Sequence, residues 1–112
     1  AFAMIRRIVF VGVLGVASLM SAATLPEAAK RQDRAAVSAA LKAGTDVNAT
    51  EPDGTTALHW AAYQDDRETA KLLLEKGAKV GAANRYGVTP LTLACTSGSP
   101  EMVKLLLDAG AD

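Results

Sequence analysis

Gly54-Thr-Thr-Ala-Leu-His-Trp-Ala-Ala62 returns thirty-three residues later as Gly87-Val-Thr-Pro-Leu-Thr-Leu-Ala-Cys95. The same shift superposes Leu41, Leu74 and Leu107, then Gly44, Gly77 and Gly110, then Val47 and Val80. A fixed period with one glycine-led motif and one apolar run per copy marks a chain of stacked supersecondary units rather than one globular core. Within the quoted stretch Leu58, Ala61 and Ala62 stand three or four apart, so they fall on one face of a helix. Glu51-Pro-Asp-Gly54 is a turn tetrad ahead of that helix, and Thr56 is placed to cap it. After Asp65-Asp66 a second helix is expected from Arg67 to Lys76, with Ala70, Leu73 and Leu74 spaced to pack inward and Gly77 ending it.

The pattern G-x-T-[AP]-L-[HT]-x-A, followed by an apolar LLL run and G-A-[KD], resembles the ankyrin repeat, and the resemblance covers residues 25–112. It implies an all-α, ankyrin-type solenoid of stacked helix-turn-helix repeats with protruding β-turn loops. It also implies a role for His59, since histidine at that slot of the family hydrogen-bonds across the turn and into the neighbouring repeat. Thr92 stands in its place one repeat later.

Taken in order, the repeats read as a partial one over 24–49, a well-preserved one over 50–82 and an incomplete one over 83–112. The first lacks its β-turn and begins near Leu25, with helices over Pro26 to Arg31 and Arg34 to Lys42. Proline suits a first helical turn, where its missing N–H has no intrahelical partner. Lys30, Arg31 and Arg34 make the solvated outer face that terminal repeats of a solenoid need. In the third repeat a helix is expected from Pro100 to Asp108, still densely apolar at Met102, Val103, Leu105, Leu106 and Leu107. Further repeats or another domain are therefore expected beyond Asp112. Leu58, Ala61, Leu74, Leu91, Ala94 and Leu107 are the residues this packing scheme requires inside.

Residues 1–23 read differently. Met4-Ile-Arg-Arg7 is a charged start, Ile8 to Met20 an uncharged apolar run, and Ser21-Ala-Ala23 a small-residue site for a signal peptidase. A secretory signal peptide cleaved near Ala23 is expected, with Ala1-Phe2-Ala3 an upstream extension. The run is shorter than the roughly twenty residues that span a bilayer, so no stable membrane span is expected after cleavage. An uncleaved tether is the alternative. Sec-type export fits better than a twin-arginine route, and no cysteine follows the run to accept a lipid. The destination is the periplasm or the exterior.

Charge argues against nucleic acid. The chain carries 12 basic and 12 acidic residues, with no concentrated basic patch to meet phosphates. Half of it is apolar, much of that alanine, which favours close helix stacking. Catalytic, cofactor-binding and metal-binding residues are expected to be none. There is no Gly-rich phosphate loop, no Cys/His cluster and no nucleophile beside a base. His59 is the only histidine and Cys95 the only cysteine. Cys95 shares its slot with Ala62 and Ala29 and is expected in the core. Asp65, Asp66 and Glu68 read as a solvated helix start favoured by the helix dipole.

A non-catalytic module that binds another protein through its β-turn tips and concave first-helix face is the function this implies. The alternative is an accessory region of an exported enzyme whose catalytic domain lies beyond residue 112. Self-association through the last repeat is a third reading. Aligning the repeats places Pro52, Asp53 and Thr55 beside Arg85, Tyr86 and Val88 on neighbouring turn tips. It places Tyr63 and Gln64 beside Thr96 and Ser97 at exposed ends of the first helices. Tyr63 and Tyr86 are the expected anchors, since large amphipathic rings dominate interfaces. Trp60 shares its slot with Leu93 and is expected to pack between repeats, with a place in the binding surface as the alternative.

Overall fold

A computed structural model describes residues 24–111, so the leader expected over 1–23 lies outside the described residues. Six helices follow one another: α1 (Leu25–Lys30), α2 (Arg34–Lys42), α3 (Ala57–Tyr63), α4 (Arg67–Glu75), α5 (Pro90–Ser97) and α6 (Pro100–Asp108). Helices α1, α3 and α5 stack side by side as an inner layer; α2, α4 and α6 form the outer layer, each packed on the inner helix before it. The described residues contain no strand, only an isolated antiparallel bridge between Thr50 and Thr56. The protein is the all-α solenoid that its period implies.

The same conformational punctuation recurs in every repeat. Gln32, Asp65 and Gly98 link the inner to the outer helix in the left-handed region, at φ 58°, 56° and 75°. The next residue caps the outer helix: Asp33, Asp66 and Ser99 accept the N–H of Ala36, Thr69 and Met102. Each such cap satisfies one of the donors that a helix start leaves without a partner. Asp65 tolerates its geometry as its sequence slot suggests. Gln32 in the same geometry is the departure, because a glutamine gains nothing there.

The core runs the length of the stack. Leu25, Ala29, Val37, Leu58, Ala61, Ala62, Ala70, Leu73 and Ala94 are buried, so the faces expected of α3 and α4 are the packed ones. Leu74 and Leu91 are only half-buried against them. Alanine on the inner layer lets these short helices approach closely, while leucine from the outer layer fills the space between layers.

Three expectations are overturned. Leu107 is 49% exposed, and Met102 and Leu106 make the buried pair of α6 instead. Leu41 and Leu74 share its slot and are half-buried because the next outer helix stacks beside them; among the described residues none stacks beyond α6. Cys95 is exposed for the same reason, although Ala29 and Ala62 in its slot are buried under the following inner helix. Asp66 is not a solvated helix start. Its side chain is 4% exposed, pairs with Arg34 at 2.9 Å and accepts the Thr69 hydroxyl at 2.7 Å. Burial alone raises its pKa, but the bonds from Thr69 and Arg34 outweigh that and hold the carboxyl below its ordinary value. Arg34, pushed up mainly by its hydrogen bond to Asp66, thus ties α2 to the start of α4.

Candidate functional site

The loops before α3 and α5 are built alike. Glu51 N–H donates to the Thr55 carbonyl at 2.9 Å, and Asn84 N–H to the Val88 carbonyl at 3.0 Å, in the same register. Gly54 and Gly87 close the two turns at φ 88° and 75°. The loops also dock on each other: Arg85 N–H donates to the Asp53 carbonyl at 2.7 Å, and Asn84 Nδ2 to the Thr55 hydroxyl at 3.4 Å. A Cβ on Gly54 would stand 3.2 Å from Asn84 Cα, so the docking needs glycine for space as well as for its dihedral angle.

His59 fastens this arrangement from below. Thr56 N–H donates to its Nδ1 at 3.0 Å, so Nδ1 is an acceptor and the ring proton sits on Nε2, which donates to the Val88 carbonyl at 2.8 Å. The Thr56 hydroxyl accepts the His59 N–H in return, so the pair is a capping box with histidine in the place usually held by glutamate. Burial pushes the His59 pKa below its ordinary value, against the opposing pull of the Val88 carbonyl, and the ring is neutral. The bonds across the turn and into the next repeat are the ones the family resemblance implies. Thr92 replaces only half of them: its hydroxyl lies 3.0 Å from that of Thr89, and no ring reaches onward.

Above His59, on the inner side of the stack, an open cleft of about 320 Å³ separates the second and third repeats. Trp60, Tyr63 and Leu93 form its apolar walls, with Asp53, Asn84 and Val88 along its polar side. Trp60 packs as its slot suggests but is only half-buried. Its indole N–H donates to Glu51 at 2.7 Å, and its ring meets Tyr63 edge-on at 6.0 Å. Asp53 accepts the Thr55 N–H at 3.0 Å, and hydrogen bonding from the Thr55 side chain and then its backbone holds the carboxyl below its ordinary pKa.

The ten residues aligned as one surface divide when placed in space. Asp53, Thr55, Tyr63 and Val88 converge on the cleft. Pro52, Arg85 and Tyr86 sit exposed on the turn tips. Gln64, Thr96 and Ser97 lie at the C-terminal ends of α3 and α5, a helix length or about 10 Å from the turns. Besides Asp53 and Arg85, whose backbones dock the two loops, three of the ten serve the packing. Thr55 is 7% exposed, the Val88 carbonyl is the acceptor for His59, and Gln64 Nε2 donates to the Lys30 carbonyl of α1 at 2.6 Å. The aligned surface leaves out Leu93 and Asn84, and it leaves Trp60 to packing although Trp60 also lines the cleft. Trp60 and Leu93 share a slot in which both copies are large and apolar, and that was the available signal.

A stack of helix pairs with an open cleft on its inner layer is a scaffold for recognition. The family model described as ankyrin repeats, in three copies, matches residues 25–112, and the chain belongs to the ankyrin-repeat family. Such repeats are generally protein–protein interaction modules and typically non-catalytic. Comparison with curated proteins gives no match. No described helix is long and apolar enough to cross a membrane.

Proposed function

We propose that the protein is a recognition module that holds a partner protein in the cleft between its second and third repeats and along the adjoining turn tips. The observation that carries this reading is Tyr63. It is 54% exposed beside the half-buried Trp60, an aromatic pair left open to solvent although the core is closed beneath it. Tyr86, 71% exposed on the next turn tip, extends the same surface. Aromatic residues in such positions supply much of the binding energy of an interface. With a partner isolated on the immobilised full chain, Tyr63→Ala combined with Tyr86→Ala should weaken binding by more than about 2 kcal/mol while leaving helical circular dichroism unchanged. Unaltered affinity, with Arg67 or Lys71 of the outer layer proving necessary, would place the partner on the opposite face.

The charged start, apolar run and small-residue site over residues 4–23 support export, with release of the repeats near Ala23. Mass spectrometry of the exported protein should find a new terminus there. An intact Met4 terminus in the membrane fraction would make the protein a tethered one.

A further inference from the structure

We infer that the cleft takes a cationic side chain of the partner, an arginine or a lysine, laid between Trp60, Tyr63 and Leu93 with its charged head at Asp53; this rests on the partner-binding reading above. Asp53 is the one formally charged residue among those lining the cleft. It makes no ion pair among the described residues. Arg85, the cation of this chain that acts on it from the docked loops, stays beyond ion-pair distance and is the weakest of the influences on its carboxyl. Its guanidinium donates to the Pro52 carbonyl at 3.4 Å and lies 5.7 Å from the centre of the Tyr86 ring.

The walls complete the selection. A long aliphatic stem covers the apolar surface of Trp60, Tyr63 and Leu93, while the charged end stays near a ring and a carboxylate that both favour it. An apolar side chain of the same length would strip water from Asp53 and offer its charge no counterion beyond the Thr55 hydrogen bonds. An acidic one would meet like charge. The rings already show this affinity within the chain: the Lys30 ammonium, from the preceding repeat and outside the cleft, lies 5.2 Å from the centre of the Trp60 ring.

Trp60 is the only tryptophan, so its fluorescence reports on the cleft wall without interference from another indole. The full chain is titrated with Gly/Ser-flanked heptapeptides that carry arginine, lysine, norleucine or glutamate at the centre. Arginine and lysine peptides should shift the emission saturably at concentrations at least about fivefold below norleucine, the size of one exposed cation–aromatic contact, and the glutamate peptide should not bind. Asp53→Asn keeps an oxygen to accept the Thr55 N–H and should erase the preference for arginine over norleucine. Equal binding of norleucine, an undiminished preference in Asp53→Asn, or no response to any peptide would overturn the inference. The tyrosine double variant separates the two readings. If it still weakens capture of the partner, only the cationic selection falls; if it does not, the partner-binding surface falls with it.

Discussion

His59 offers the sharpest test of how the stack is held together. Replacing it with alanine strands the Thr56 N–H, in a residue 3% exposed, and takes from the half-buried Val88 carbonyl one of its two partners, the Asn84 N–H remaining. Leaving the Thr56 N–H without a partner costs about 1–3 kcal/mol, and the bond lost at Val88, whose carbonyl keeps Asn84, about 0.5–1.5 kcal/mol. Together the two come to about 3 kcal/mol, a large share of the roughly 5–15 kcal/mol that stabilises a small domain. His59→Thr is the milder change. A hydroxyl there can face the Thr56 hydroxyl as Thr92 faces Thr89, but it replaces neither the acceptor for the Thr56 N–H nor the bond to Val88, so less than half the loss should return. Urea unfolding of the full chain, followed by far-ultraviolet circular dichroism, reads both variants. The pH dependence supplies a second readout. The folded state holds the His59 pKa below 6.5, so the unfolded chain binds the proton more readily. The stability that the neutral ring contributes is present above about 6.5 and is lost as pH falls from there toward the depressed folded value. That acid loss should shrink in His59→Ala. An alanine variant within about 0.5 kcal/mol of the wild type, the usual range for harmless surface changes, would refute the clasp, as would an unchanged acid slope.

Leu106→Ala should cost about 2–5 kcal/mol as a fully buried leucine, whereas Leu107→Ala, at 49% exposure, should cost clearly less. Equal losses in urea unfolding would return Leu107 to the core. Gln32→Gly should raise stability by up to about 1 kcal/mol, because relief of a left-handed φ of 58°, which costs a side-chain-bearing residue about 1–2 kcal/mol, outweighs glycine's extra entropy cost of about 0.5–1 kcal/mol. Asp65→Gly should gain less, since Asp65 accepts the Ser99 hydroxyl at 2.7 Å across to the next repeat; a greater gain at 65 than at 32 would count against that bond.

Much of the solenoid is legible along the chain because its information is local and repeated. The glycine slots that end the outer helices adopt positive φ at Gly44, Gly77 and Gly110, and the helices expected over Arg34 to Lys42 and Pro100 to Asp108 form over those residues. Thr56 caps α3, and His59 reaches Val88, as the motif and its family imply. The binding surface is legible only in part. Tyr63 and Tyr86 are exposed where alignment leaves them free, but alignment treats Thr55, Gln64 and Val88 as equally free. Nothing in their residue types says that a neighbouring loop or helix will claim their atoms.

The sequence by itself determined the period, the helix pairs, their turns and the sides of α3 and α4 that turn inward, because capping, glycine dihedrals and apolar spacing act within a few residues. Only the tertiary structure decided which member of each slot is covered. Leu41, Leu74 and Leu107 carry one chemical signal, yet Leu107 alone is open, and Cys95 is open where Ala29 and Ala62 are sealed. Burial at these slots is conferred by the next repeat, whereas Met102 and Leu106 are sealed without one. The cleft is likewise a property of two repeats at once: Trp60 and Tyr63 supply one wall, Leu93 the other, and the docking of Arg85 on Asp53 sets the space between them.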